Sequence, residues 1–304
     1  TLAEPLAKKV RAGGWRSLLL GGGFRAGLEQ QAYERLLRVA GKALEEAPFT
    51  RLAVGHEACE YLLPDLRRWE RVLALSERLA LGLSVVLPPV YASNEAAVAK
   101  LLDRLATEAR PDIEVVCAEW GGVEMVRARP PLRPALGRLM NRMKRFARWS
   151  RQTPTPEAGD LIDPDLRALL AAQVDAQRQP AFAGATFLEL ASAAHAVALG
   201  VDPVPQGVAG DPPPDLAIDL HVPWTYVTSG RRCVTRQVVE GAAVDHDAPC
   251  SAWCRRRFLV GDYEGENAPI VQKGNVVFLE NVAFVGRVAP ALRRQARWVI
   301  TPRL

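Results

Sequence analysis

Cysteines give this sequence its clearest capacity for metal chemistry. Three of the five fall within one stretch, at Cys233, Cys250 and Cys254. Thiolates are soft ligands, and the sites that they favour are iron–sulfur clusters and zinc. A set of four thiolates needs one further ligand, which either Cys59 or Cys117 could supply because each lies at or just after the end of a predicted strand. The alternative is a group of buried, inert thiols.

Arginines surround the clustered cysteines. Three flank the first of them and three directly follow the last: Arg231, Arg232, Arg236, Arg255, Arg256 and Arg257. Positive charge of this kind lowers the pKa of a thiol and stabilises an anionic set of ligands. We therefore expect these thiols to ionise readily.

Histidines provide further candidates. His221 lies near the end of a predicted strand, where it could donate a proton, hydrogen-bond to a metal-bound sulfur, or serve a structural role. His56 and Glu57 follow the first predicted strand and are expected to line the same site. His195 lies on an apolar predicted helix and is expected in the core. The run Asp245-His246-Asp247 is expected to cap a turn rather than to bind a metal.

The elements that would position these residues alternate between helices and strands. Periodicity predicts, in order, a helix over 29–47, a strand over 49–54, a helix over 65–79, a strand over 81–87, a helix capped by Asn94 and ending near 109, and a strand over 113–117. This order is typical of right-handed βαβ units and a parallel sheet. We expect an α/β fold that resembles a TIM barrel, incomplete or distorted, with a doubly wound open sheet as the alternative. In either fold, functional residues follow the carboxyl ends of the strands.

The composition is that of an ordinary soluble domain. Of the 304 residues, 49% are hydrophobic and 24% charged, and no apolar run approaches the roughly 20 residues of a membrane helix. The first residues lack the order of a signal peptide, so we expect a cytoplasmic protein with reduced cysteines. We predict an irregular arm over 1–28 and a single barrel-like domain over 29–304. Later elements of that domain are a helix over 187–199 and strands over 216–222, 275–279 and 283–285.

The net charge of +5 is distributed unevenly along the chain. Nine basic residues and no acidic residue lie between positions 127 and 151. We interpret 127–160 as a basic insertion or linker whose part from 136 to 149 is helical. This segment is either a solvated basic helix or a surface for phosphate groups, RNA or an acidic partner.

Several of these residues lie in motifs that resemble the collagenase-like peptidase family. One motif is a strand-end histidine before a Ser-Gly-Arg-Cys-like run, seen here as His221–Tyr226 and Thr228–Cys233. A second is a Cys-x3-Cys pair before basic residues, Cys250–Arg255, and a third is the strand that follows it, Gly274–Asn281. The last is a first-strand motif, Ala53–Cys59. The last motif is similar to that of the UbiU/UbiV-like branch, iron–sulfur proteins of oxygen-independent ubiquinone biosynthesis. The resemblance implies a barrel-like fold and a [4Fe–4S] cluster with these four ligands, Cys117 being left out: Cys59, Cys233, Cys250 and Cys254.

The same resemblance implies a function. The family includes hydroxylases of ubiquinone precursors, transfer RNA and ribosomal RNA that work without oxygen and use prephenate as the hydroxyl donor. This chain would be a subunit of such a hydroxylase, first of all in ubiquinone biosynthesis, with a related family member as its partner. An RNA hydroxylase, a zinc-binding module and a peptidase are the alternatives. Arg232 and Arg255 are candidates for binding an anionic donor, and His221 completes the candidate catalytic residues.

Overall fold

The computed structural model describes residues 28–46, 49–108, 110–141, 143, 163–241, 248, 250–255, 257–262 and 269–301. The predicted irregular arm, apart from residue 28, lies outside these ranges. So do most of the basic segment beyond residue 141 and the run 245–247. No helix in the described ranges is both long and apolar enough to cross a membrane.

Seven parallel strands form the main sheet, in the order β1-β2-β3-β4-β5-β6-β11. Their bounds are β1 Arg51–Gly55, β2 Gly82–Val86, β3 Ile113–Cys117, β4 Arg133–Leu136, β5 Ala198–Val201, β6 Ala217–Val222 and β11 Arg297–Ile300. The helices around them are α1 Leu28–Glu46, α2 Trp69–Leu79, α3 Glu95–Thr107, α4 Trp120–Arg127, α5 Pro164–Arg178, α6 Ala185–Ala193 and α8 Pro290–Gln295.

Side chains alternate between the two faces of this sheet. Leu83, Val85, Ile113 and Val115 belong to one face and are fully buried in the main core, which they share with α3. Burial on one face explains the apolar alternation along these strands. The alternate positions lie on the opposite, concave face.

Charged side chains on the concave face show how strongly the sheet curls. Arg297 on β11 donates to Asp219 at 2.6 and 2.9 Å and to Glu114 on β3 at 3.0 and 3.1 Å. Arg51 on β1 lies 3.3 Å from the same Glu114 carboxylate. Three strands separate β3 from β11 in the sheet order, so these contacts require a curled sheet. The structure is a parallel half-barrel flanked by helices, and within the described residues β1 and β11 remain its two edges.

A second sheet lies beyond the carboxyl end of β6. It is antiparallel, with the order β7-β10-β9-β8, and comprises β7 Trp224–Ser229, β8 Leu259–Asp262, β9 Pro269–Lys273 and β10 Val276–Glu280. The short helix α7, Val234–Glu240, follows β7. The side chains of this sheet form a small core with the loop after β1 and with α1, made of Ala32, Ala58, Trp224, Val271, Val276 and Phe278.

The predicted elements over 29–117 are largely confirmed, with one difference of detail. Asn94 precedes α3 but does not cap it through its side chain. Instead it is buried, accepts the Tyr91 N–H at 2.7 Å and donates to the Pro89 carbonyl at 3.0 Å. It therefore stabilises the loop between β2 and α3.

Three later predictions are wrong. The helix expected over 187–199 ends at Ala193, because His195 adopts a left-handed conformation (φ 52°) and the chain then forms β5. His195 is consequently exposed rather than part of the core. The strand expected over 283–285 is a 3-10 turn, Val282–Arg287. A further prediction, a helix over 136–149, is contradicted in its described part, because residue 136 ends β4 and residues 137–141 and 143 are not helical. Positions 144–149 lie outside the described residues.

Candidate functional site

Four of the five cysteines come together from three separate segments. Cys59 follows β1, Cys233 precedes the first residue of α7, and Cys250 and Cys254 lie in the loop before β8. All are free thiols, with Cys59 and Cys254 buried and the other two half-buried. The segment with Cys59 leaves the carboxyl end of β1 in the half-barrel, and the other two segments adjoin strands of the second sheet. The site therefore lies between the half-barrel and the second sheet.

The turn between β9 and β10 ties these segments together. The buried Asn275 side chain donates to the carbonyls of Ala58 and Gly230, at 2.6 Å in each case. The Gly274 carbonyl accepts the Thr235 N–H at 3.2 Å. A side chain at Gly274 would place its first carbon 3.5 Å from the sulfur of Cys254. One two-residue turn therefore contacts every segment that carries a cysteine.

The thiols interact with one another electrostatically. Burial raises the pKa of Cys59 to about 12; the Tyr61 N–H lowers it, and Cys254, Cys233 and Cys250 raise it further. Burial likewise raises the pKa of Cys254, and Cys233 and Cys250 raise it further. The pKa of Cys233 is raised by burial and by Cys250, against hydrogen bonds from the Arg236 and Thr235 amides.

This result corrects the expectation that the surrounding arginines would lower the pKa of these thiols. Arg236 does lower the pKa of Cys233, but its contribution is smaller than that of burial. Arg231 stacks over the Tyr91 ring at 4.8 Å, and Arg255 donates to the Tyr61 carbonyl at 3.4 Å. Arg236 pairs with Glu240 at 2.7 Å. Burial therefore dominates, and the site disfavours several thiolates at once unless a cation joins them.

Backbone amides and unpaired polar atoms complete the immediate environment. The Arg236 amide donates to the Cys233 sulfur at 3.4 Å, and the Ala252 amide donates to the Cys250 sulfur at 3.3 Å. The Thr235 hydroxyl and the Asn275 side-chain oxygen are buried without a hydrogen-bond partner. Soft thiolates with N–H donors around them form a donor set that fits an iron–sulfur cluster.

The spacing of the ligands bears on which metal group fits. Within the described part of the chain, no three His, Cys, Asp or Glu side chains are grouped closely enough to hold one metal ion. A tetrahedral zinc with Zn–S distances of about 2.3 Å needs its sulfurs about 3.8 Å apart.

Cys117 lies apart from the other four cysteines. It ends β3 on the face that packs into the main core, and its sulfur lies 3.5 Å from the Val115 carbonyl. Burial, with a smaller contribution from Glu119, raises its pKa, and no other thiol affects it. Its position is that of a structural core residue.

A buried ion-pair network lies at the strand ends beside the cysteines. Arg138, just after β4, donates from its side chain to Glu57 at 2.7 Å and to Asp202 at 3.1 Å. Its amide also donates to Glu57 at 2.9 Å, and its carbonyl accepts the Tyr226 hydroxyl at 2.8 Å. Burial alone would raise the pKa of Glu57, but Arg138 and His221 outweigh it and lower that pKa to about 2.

Sequence reasoning missed Arg138 as a site residue, because it lies within the basic run and its partners are distant in sequence. The available signal was its place just after a strand, which Glu57 and Asp202 share. Two further members of the basic run are also paired, Arg127 with Glu124 and Arg129 with Asp103.

The histidines take different roles. His56 accepts the amides of Ala58 and Cys59 on its Nδ1 atom, at 3.1 and 3.2 Å, and so fixes the loop that carries the first cysteine. Burial lowers its pKa to about 4; Glu57 opposes that shift, and Arg138 and Lys273 add to it. His221 is partly exposed on β6, close enough to Glu57 to affect its ionisation.

The candidate anion-binding arginines, Arg232 and Arg255, are both exposed on the loops that carry the cysteines. The run 245–247 lies outside the described residues, so its predicted turn is untested. Comparison of the chain with family models, curated proteins and solved structures gives no match.

Proposed function

We propose that this protein binds a [4Fe–4S] cluster through Cys59, Cys233, Cys250 and Cys254. The observation that carries the proposal is the grouping of these four thiols from three segments, while Cys117 lies apart. All three of the others raise the pKa of Cys59, and Cys250 raises the pKa of both Cys233 and Cys254. Iron would supply the positive charge that four thiolates in a buried site need.

A cluster suits this arrangement better than zinc does. In a [4Fe–4S] cluster each thiolate binds a different iron, so the sulfurs lie farther apart than around a single ion. The amides of Arg236 and Ala252 already donate to cysteine sulfurs. Such N–H donors favour the reduced cluster and so tune its potential.

We further propose that the protein is a subunit of an oxygen-independent hydroxylase, with ubiquinone biosynthesis as the first candidate pathway. This part rests on the sequence motifs that resemble the collagenase-like peptidase family. When bound, the cluster would supply one-electron chemistry. Arg232 and Arg255 would bind an anionic hydroxyl donor such as prephenate, since both are exposed beside the cysteines. A related family member is the proposed partner.

His221 is the candidate for handling a proton in this hydroxylase. It lies on the concave face of β6, partly exposed, and its charge lowers the pKa of Glu57. The Asn281 side chain donates to its backbone carbonyl at 2.9 Å and so fixes the strand at this point. A histidine held in this way can bind substrate or move a proton at the open side of the half-barrel.

Anaerobic purification tests the cluster. The wild type should be brown, with broad absorption near ~400 nm and iron and sulfide in equal amounts, as four-thiolate centres give. Cys59→Ala should lose most of the iron, whereas Cys117→Ala, a substitution of the same size at a buried thiol, should keep it. A colourless, iron-free wild type would overturn the proposal, and one equivalent of zinc without sulfide would select a zinc module.

A further inference from the structure

We propose that the surface around α7 docks an acidic one-electron carrier protein, which delivers electrons to the cysteine site. This inference rests on the proposed cluster and names the partner that would serve it. It assigns a role to a surface that neither the fold nor the ligand set explains.

The centre of this surface is apolar. Val234 and Val238 lie four residues apart on α7 and are 46% and 62% exposed, while Thr235 and Arg236 between them are buried. Side chains at this spacing share one face of a helix. The helix therefore presents two valines to solvent as a single patch, and such patches typically mark contacts with other proteins.

Among the residues that the structure describes, the rim of this surface is mainly cationic. Four exposed arginines lie on the loops that adjoin α7: Arg231, Arg232, Arg255 and Arg257. The nearby carboxylates of Glu60 and Glu240 are already engaged, with Ser93 and with Arg236 and Ser251 respectively. The Tyr61 hydroxyl and the Arg236 guanidinium both donate to the Ala248 carbonyl, which joins the two sides of the rim.

The surface lies directly over the more accessible edge of the cysteine site. Cys233 immediately precedes α7 and is half-buried, as is Cys250, whereas Cys59 and Cys254 are buried. A carrier on α7 would thus approach the site from the side where the sulfurs are closest to solvent.

An apolar centre with a cationic rim selects the chemistry of the partner. Acidic side chains around an apolar contact complement it, and the charges would steer the encounter and fix its orientation. RNA is the other polyanion to weigh, because its single strands stack on exposed aromatic rings. Tyr61 is 37% exposed at the rim, but the exposed apolar side chains on α7 itself are valines, which offer no ring for stacking. The observations therefore favour a protein of the acidic ferredoxin class. The step itself is the transfer of one electron from the carrier to the cluster, with no proton or group transferred.

Anaerobic stopped-flow kinetics tests the proposal, with reduced plant-type ferredoxin as the probe and cluster bleaching as the signal. Raising the salt from about 0.05 to about 0.5 M should slow reduction of the wild type by about tenfold, since steering contributes about 10- to 1,000-fold to such rates. Val238→Asp should slow it by about tenfold and Arg231→Glu by about threefold, because each removes one component of the contact. Dithionite should reduce every variant within about twofold of the wild type, because it needs no protein contact.

Two matched controls lie far from α7. Leu190→Asp changes an apolar side chain that is 48% exposed on α6, and Arg294→Glu reverses an exposed charge on α8. Both should react with ferredoxin as the wild type does. The docking proposal is overturned if Val238→Asp behaves like Leu190→Asp, if salt has no effect, or if RNA binds this surface and ferredoxin does not react. A wild type without cluster absorption overturns the proposed function itself, and the docking proposal with it.

Discussion

Two groups of residues meet at the carboxyl side of the half-barrel, and they handle charge in opposite ways. Glu57 belongs to a network in which one arginine is hydrogen-bonded to two carboxylates, so a buried cation already stabilises both anions. Cys59, two residues later, lies among thiols that raise its pKa. The network contains its own cation, whereas the thiols can all ionise only with a cation among them.

The comparison separates the ion-pair network, which stabilises the fold, from the cysteine group, which is suited to binding a ligand. Both groups are buried, and both draw on the loop between Gly55 and Cys59. His56 accepts two amides of that loop and so holds Glu57 and Cys59 in fixed positions relative to each other. The ion pairs thus anchor the base of the loop, and the thiol at its end is presented to the second sheet.

Removal of Arg138 should have the largest effect. Arg138→Met leaves two buried carboxylates without their cation, which typically costs about 3–5 kcal/mol of unfolding free energy. Urea unfolding of the metal-free protein would measure it. Arg133→Met is the matched control, because Arg133 is exposed on β4, the strand that precedes Arg138; its effect should stay within about 0.5 kcal/mol. Equal stability of the two variants would show that the network does not hold the strand ends together.

Loss of the Asn275 side chain should have an intermediate effect that separates the two groups. Asn275→Ala removes two hydrogen bonds of 2.6 Å that join the Cys59 and Cys233 segments. We expect a loss of about 1–3 kcal/mol, since buried acceptors are left unpaired, together with a clear loss of bound iron. Both quantities can be measured on the same anaerobic preparations.

Asn281→Ala provides the control for that experiment. Asn281 is also buried, and its side chain donates to the His221 carbonyl at 2.9 Å, away from the cysteines. It should lose similar stability but keep its iron. If both variants lost iron in proportion to stability, the turn at Asn275 would have no specific part in positioning the ligands.

How much of this could be read from the sequence differs between the two groups. The order of strands and helices over 49–117 follows from periodicity, and the cysteine set followed from recognisable motifs. The ion-pair network could not be predicted, because Glu57, Arg138 and Asp202 come from three strands and no local pattern connects them. The predicted helix over 187–199 includes the start of β5, since the run from 187 to 201 is mostly apolar and periodicity alone does not distinguish a buried strand from a helix.

The second sheet was harder still to predict from the sequence. β8 and β9 are short and mixed in polarity, and the pairing of β10 with β7 joins segments that are distant in sequence. The expected pKa of the thiols is wrong as well. Neighbouring arginines in the sequence suggest a lowered pKa, but burial raises the pKa of Cys233 by more than Arg236 lowers it.

The smallest expected effect concerns Gly274, which occupies the first position of the β9–β10 turn with a φ of +63°. Gly274→Ala should cost about 1–2 kcal/mol, the penalty of a left-handed conformation for an L-residue. It should nevertheless keep its iron, because the added carbon would lie 3.5 Å from the Cys254 sulfur, an ordinary contact. Gly274→Leu, by contrast, should displace that sulfur and reduce the iron content.

Gly210→Ala is the matched control: its φ is +95° and nothing lies within 4 Å of the added carbon. If Gly274→Leu retained full iron, Cys254 would be excluded as a ligand. The contrast between the ion-pair network, which contains its own cation, and the cysteine site would then no longer hold at Cys254.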